Sequence, residues 1–153
     1  MSISKVREYL KKYNKDKDIV EFEVSSHTVS EASAAIGCSD ADIAKTLSFI
    51  VDDKPIVIVV AGDKKIDNHK YKEYFHTKAK MVPGEELVAL VGHEAGGVCP
   101  FGLNDGVGIY LDVSLKDHDI VYPACGSHNS AIKLELKELE DIVDFIDWID
   151  VCK

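Results

Sequence analysis

The chain lacks an apolar run long enough to cross a membrane. Its longest, from Pro55 to Ala61, is far short of the roughly 20 residues a spanning helix needs. It also lacks an apolar leader: MSISKVREYLKKYNKDK at the N-terminus is amphipathic and charged, so no secretory signal and no membrane partner are expected. Cysteine is scarce and scattered. Cys38, Cys99, Cys125 and Cys152 show no CxxC spacing, which argues against a zinc ribbon or redox pair and for a reduced, cytoplasmic chain with free thiols. Cys125-Gly-Ser-His128 offers two metal ligands without a matching pair elsewhere, so neither a metal nor another cofactor is expected. Basic charge is short as well. A net charge of −9 does not suit a protein that coats nucleic acid along its length.

What remains is a chain of 153 residues with 46% apolar content. That suits one domain over residues 1–153, burying roughly two-thirds of its extended-chain surface. Ile3, Val6 and Leu10 share a helical face, which predicts a first helix over 3–13. DIVEFEV alternates Val20, Phe22 and Val24 with acids and reads as a half-buried strand. Thr28-Val-Ser-Glu31 has capping-box spacing, Gly37 stands where a left-handed cap would end that helix, and Ser39 and Asp40 can cap a second short turn. In AKTLSFIVD, Leu47, Phe49 and Val51 alternate with Thr46, Ser48 and Ile50. PIVIVVAG is apolar on both faces, as a central strand would be.

Asp67 opens a polar helix through Phe75, a short strand is expected at 78–82, and Pro83 begins a helix closed by Gly92. GVGIYLDVS, DIVYPACG and AIKLELK read as three further strands. The last helix is expected from Glu138 to Trp148, burying Leu139, Ile142, Val143 and Ile146. Together these predict an α/β fold: a mixed sheet flanked by helices.

Charge is uneven. Lys64, Lys65, Lys70, Lys72, Lys78 and Lys80, with two histidines, face only Asp67 and Glu73 in that stretch, whereas Glu135 to Asp150 holds seven acids against Lys137. Each run reads either as a solvated face or, for the lysines, as a basic rim beside a site for a small anionic group. A protein touching only the end of a nucleic acid does not need a basic overall charge.

Six of the ten glycines lie in GHEAGGVCPFGLNDGVG, residues 92–108. The stretch is no P-loop, because it lacks the GK[ST] ending, and no dinucleotide fingerprint, because a strand rather than a helix follows. It is either a connection needing left-handed backbone or a nest of N–H groups that can hold a carbonyl or oxyanion. Pro100 removes one donor and stiffens it. Cys99 is either a small residue packing this loop or a thiol nucleophile. The latter needs a base, and sequence alone does not place His27, His93 or His128 beside it. Lys45, among apolar neighbours, is either an edge residue or an ammonium at a pocket mouth.

HTVSEASAAIGCSDADIAKTLSFIV, PIVIVVAGDKKID and GHEAGGVCPFGL, in that order, resemble the YbaK / prolyl-tRNA-synthetase-associated domain family of aminoacyl-tRNA deacylases, over residues 20–136. The resemblance implies a curved, partly barrel-like sheet. It also implies a hydrolase for the ester between a wrong amino acid and the 3′-terminal adenosine of tRNA, with tRNA for proline carrying alanine, cysteine or a similar small residue as the expected substrate. The family lysine falls on Lys45, implied to hold the phosphate or ribose region of the acceptor end. The family GxxxP loop falls on Gly96, Gly97, Val98, Cys99 and Pro100, whose backbone would orient the ester carbonyl. Gly126, Ser127 and His128 match a further glycine segment, and Phe22, His27, Ile43 and Thr46 are expected walls.

Members generally act without a protein nucleophile, through a positioned water or a group of the substrate. Cys99 falls on a variable position of the motif, which favours packing. The implied partners are the acceptor end of a mischarged tRNA and a prolyl-tRNA synthetase or elongation factor. Two alternatives stand beside this reading: a non-catalytic module binding an aminoacyl-adenosine end or amino acid, and a thiol-dependent transferase using Cys99.

Overall fold

A computed structural model describes residues 2–23 and 28–153. The β-branched run forms β3 (Lys54–Ala61), which pairs antiparallel with β2 (Ile43–Val51) across a two-residue turn. Asp52 and Asp53 both take positive φ there, 51° and 65°, as a tight primed hairpin turn demands. β3 is central, as its two apolar faces require. Val57 to Ala61 are fully buried, and on its far side it pairs parallel with β4 (Gly108–Asp112). With β5 (Ile120–Pro123), β7 (Leu134–Glu135) and β8 (Asp147–Ile149) the sheet runs β7-β5-β2-β3-β4-β8, mixed in direction and curled into a half-barrel. A small second sheet pairs β1 (Val20–Glu21) with β6 (Ser130–Ala131).

Two helices close one side of the sheet. α1 (Ser2–Lys11) buries Val6 and Leu10, and α5 (Leu136–Ile142) buries Leu139 and Ile142, all in one cluster with Val59, Leu111 and Val121. The opposite side carries α3 (Asn68–Phe75). Its Tyr71 and Phe75 pack on Phe49, Ile58 and Val60, and Asp67 caps it by accepting from the His69 and Lys70 N–H groups at 2.9 and 3.1 Å. α2 (Val29–Ile36) is capped as its sequence requires: Thr28 Oγ1 accepts from Glu31 N at 3.1 Å and Gly37 closes it at φ 88°. In the short turn that follows, Ser39 pairs with Asp42, while Asp40 instead accepts from the Ser30 hydroxyl at 3.2 Å and from that of Ser33. Among the described residues no helix is long and apolar enough to cross a membrane.

Five expectations change. The last helix stops at Ile142, not Trp148. Asp147–Ile149 becomes β8 because β4 otherwise presents an unpaired edge, and Ile146, expected in the buried stripe, is 62% exposed. DIVEFEV forms only the two residues of β1, with Val20 56% exposed, and Val24 lies outside the described residues. AIKLELK splits, its first part serving β1 and its second β5. Residues 80–82 run beside β2 through one bridge, Phe49 with Met81, in which Ile50 N–H donates to Lys80 O and Val82 N–H to Ser48 O, rather than as a strand, and Pro83 leads only into the four residues of α4 (Leu87–Leu90).

Candidate active site

Curling leaves a cavity of about 330 Å³ against the inner side of β2. One helix face supplies a wall, since Val29, Ala32 and Ile36 recur at helical spacing along α2. Met81, Val82 and Leu87 form another, Ala95, Gly96 and Val98 a third, and Tyr122, Ala124, Ser130 and Ala131 complete it. The lining is mostly apolar with a few polar groups, the usual make-up of a small-ligand site.

Lys45, Thr46, Gly96 and Val98 therefore line one cavity, as does Ile43. Lys45 leaves β2 on the face of its cross-strand partner Val60, opposite to Thr46 and Ser48. Burial holds its ammonium below the ordinary lysine value. The neighbouring Cys152 and Asp63 act the other way, and Lys65 adds to the lowering. Among the described residues Lys45 forms no ion pair, and neither do Lys64, Lys65, Lys72, Lys78 and Lys80 of the basic run. Lys70 is spent on the fold, bonding Asp150 at 3.1 Å and the Cys152 carbonyl at 2.9 Å.

The glycine loop is held by close backbone approach. Gly97 donates its N–H to Glu94 O at 3.0 Å, closing a turn in which Gly96 takes φ 86°. A Cβ on Gly97 would stand 2.6 Å from the Gly126 carbonyl carbon, so only glycine fits against that segment. Gly126 in turn lies under α1, where a Cβ would meet the Ser2 backbone at 2.8 Å. Since the Gly97 N–H is used inside the loop, Gly96 and Val98 retain N–H groups with no acceptor among the described residues.

Cys99 and Pro100 are buried behind the loop and do not line the cavity. The structure does bring His93 to the thiol, with Nε2 3.6 Å from Sγ. That nitrogen also lies 2.7 Å from the Phe101 carbonyl and so carries its proton there, which removes it as a base. Burial pushes the Cys99 thiol up to about 12 and lowers His93, leaving a neutral pair packed in the core. Ser127 stands one hydrogen bond behind the wall, 2.7 Å from the hydroxyl of Ser130, which does line it. His128 and Phe22 are half-buried outside the lining, and His27 lies outside the described residues.

Sequence reasoning passed over Ser48, Met81 and Val82. The signal for Ser48 was present, because it shares alternation with Thr46. It also passed over Asp112, a fully buried carboxylate that accepts from Ser114 N at 2.9 Å and Val151 N at 2.8 Å, anchoring the C-terminal segment near Lys45.

The cavity offers a half-buried ammonium, a left-handed glycine turn and, among the described residues, no activated nucleophile, a set suited to positioning an already reactive ester. Comparison with known proteins agrees. Residues 23–142 match the model of the aminoacyl-tRNA editing domain. The uncharacterized protein YwhH of Bacillus subtilis (strain 168) is 51% identical over the whole chain and 98% of its own length. The proline–tRNA ligase of the same organism is 29% identical over 58% of this chain, a match confined to 16% of the ligase. A crystal structure described as a candidate trans-editing enzyme for prolyl tRNA synthetase superposes with a TM-score of 0.88 at 26% identity, covering 99% of this chain and 97% of that one. The chain belongs to the aminoacyl-tRNA editing domain family.

Proposed function

We propose that the protein is a trans-editing deacylase that hydrolyses the aminoacyl ester of a mischarged tRNA, with tRNA for proline carrying alanine, cysteine or a similar small residue as substrate. The observation that carries this reading is that Lys45 and the Gly96 turn line the same cavity. The acceptor end enters with its phosphate or ribose against Lys45, and the ester carbonyl turns towards the Gly96–Val98 backbone. Water adds to the carbonyl carbon, the bond to the ribose oxygen breaks, and that oxygen takes the proton. Backbone N–H groups aimed at the developing oxyanion and fixed orientation suffice for an activated ester, so no thiol step is needed. Gly97 and Gly126 act by letting the loop approach that wall.

Such a second site is useful because a synthetase pocket rejects a smaller or isosteric amino acid by only about 10–200-fold. A prolyl-tRNA synthetase or elongation factor is the partner that would deliver the tRNA body. The test is a deacylation panel of several mischarged tRNAs against wild type and Lys45→Ala. The expected result is a loss of about 10²-fold or more, the scale of removing one charge-stabilising contact, with an unchanged circular-dichroism spectrum. Full activity in Lys45→Ala rejects the site.

A further inference from the structure

Ser48 occupies a position where a polar residue costs stability. It is 4% exposed, its cross-strand partner Val57 is fully buried, and the cavity-lining Val82 and Leu87 belong with Val57 to one apolar cluster. Its hydroxyl oxygen has no hydrogen-bond partner among the described residues, and neither has Thr46 Oγ1. Alanine or valine would fill either position without an unpaired polar atom. A local rule broken twice on one strand, at a cavity, marks a functional demand.

Thr46 and Ser48 leave β2 on the same face, roughly 7 Å apart, and both belong to the cavity wall. Both oxygens are covered, yet neither gives up a hydrogen bond by turning about χ1 into another staggered well. The two positions are not equivalent. Thr46 is next to Lys45, whereas Ser48 lies further along the strand among Val57, Val82 and Leu87. A protonated amine pushed against those apolar walls would be desolvated without a counter-charge, while a neutral hydroxyl or thiol would not.

We infer that Ser48 reads the side chain of the esterified amino acid, and that the amino acid preferred by this site carries a β-hydroxyl or β-thiol (serine, threonine or cysteine) rather than alanine. The inference rests on the deacylase reading and narrows its substrate class. The ester and α-amino group stay near Thr46, Lys45 and Gly96, and the β-substituent points towards Ser48.

The experiment compares one tRNA charged with serine or alanine, using wild type, Ser48→Ala and Ser48→Thr. Wild type should show kcat/KM about tenfold higher for the seryl ester, which is about 1.4 kcal/mol and the size of one neutral hydrogen bond. Ser48→Ala should bring that ratio close to one, chiefly by raising KM for the seryl ester, and Ser48→Thr, which keeps a hydroxyl, should retain the preference. A wild-type ratio of one or less, or an unchanged ratio in Ser48→Ala, overturns the inference. Calorimetric binding of non-hydrolysable seryl- and alanyl-adenosine amides separates the two readings. If neither ester turns over, the deacylase reading fails, and Ser48 is still judged: a seryl preference lost in Ser48→Ala supports it, and equal or undetectable binding overturns it.

Discussion

The two faces of β2 differ in what covers them. On one, Leu47 and Phe49 pack with Ile58, Val60 and Tyr71, and the Phe49 and Tyr71 rings lie 5.1 Å apart. On the other, Thr46 and Ser48 line the cavity, and their covered hydroxyls bond to nothing among the described residues. Apart from Lys45 and Leu47, which also line the cavity, the first face is built as a core is built, by filling space with apolar groups. The second carries polar atoms without partners, a cost in stability that the first face does not bear. Strand β2 thus joins a packed surface to a cavity wall, one residue apart along the chain.

The largest effect should come from breaking the packed face. Phe49→Ala is expected to cost about 3–5 kcal/mol, lowering the melting temperature by roughly 10 °C for a chain of this size, measured by thermal unfolding. A much smaller loss would mean that α3 contributes little to the fold. On the cavity face the sign should reverse. Ser48→Ala removes a buried hydroxyl without a partner and is expected to stabilise the protein by about 1 kcal/mol, raising the midpoint by roughly 2–4 °C, while the seryl preference is lost. A fall in midpoint would show that Ser48 is held by an interaction of the folded state after all. The smallest effect should follow Cys99→Ser. Its thiol is buried and neutral, so turnover of the mischarged tRNA should stay close to wild type, and a large loss would return the thiol to the chemistry.

Much of the scaffold was legible because its causes are local. The β-branched run of β3, the Thr28–Glu31 cap with Gly37 and the Asp67 cap each act within a few residues, and each forms as expected. The departures share a different cause. Leu139, Ile142, Val143 and Ile146 have helical spacing, yet Ile146 donates its N–H to Ile109 O at 2.7 Å and the chain extends along β4. Strand β4, more than 30 residues upstream, decides that outcome by offering a free side for pairing, and periodicity does not register it. The His93–Cys99 contact is likewise made by the fold of the loop, which also supplies the carbonyl that occupies the imidazole.

The candidate site shows the same division. Lys45 and the glycine turn could be picked out because an isolated lysine in an apolar strand and a cluster of glycines are unusual wherever they occur. That Gly97 spends its N–H inside the turn and meets Gly126 could not be picked out, since both depend on α1 lying beneath the second segment. By itself the sequence determined β2 and β3, the caps and which residues of β2 share a face, because alternation and capping are properties of neighbouring residues. Only the tertiary structure decided that one of those faces meets a packed core and the other a cavity. What covers a strand is set by elements distant in the chain, and the free energy of a buried hydroxyl depends on whether they bring it a partner.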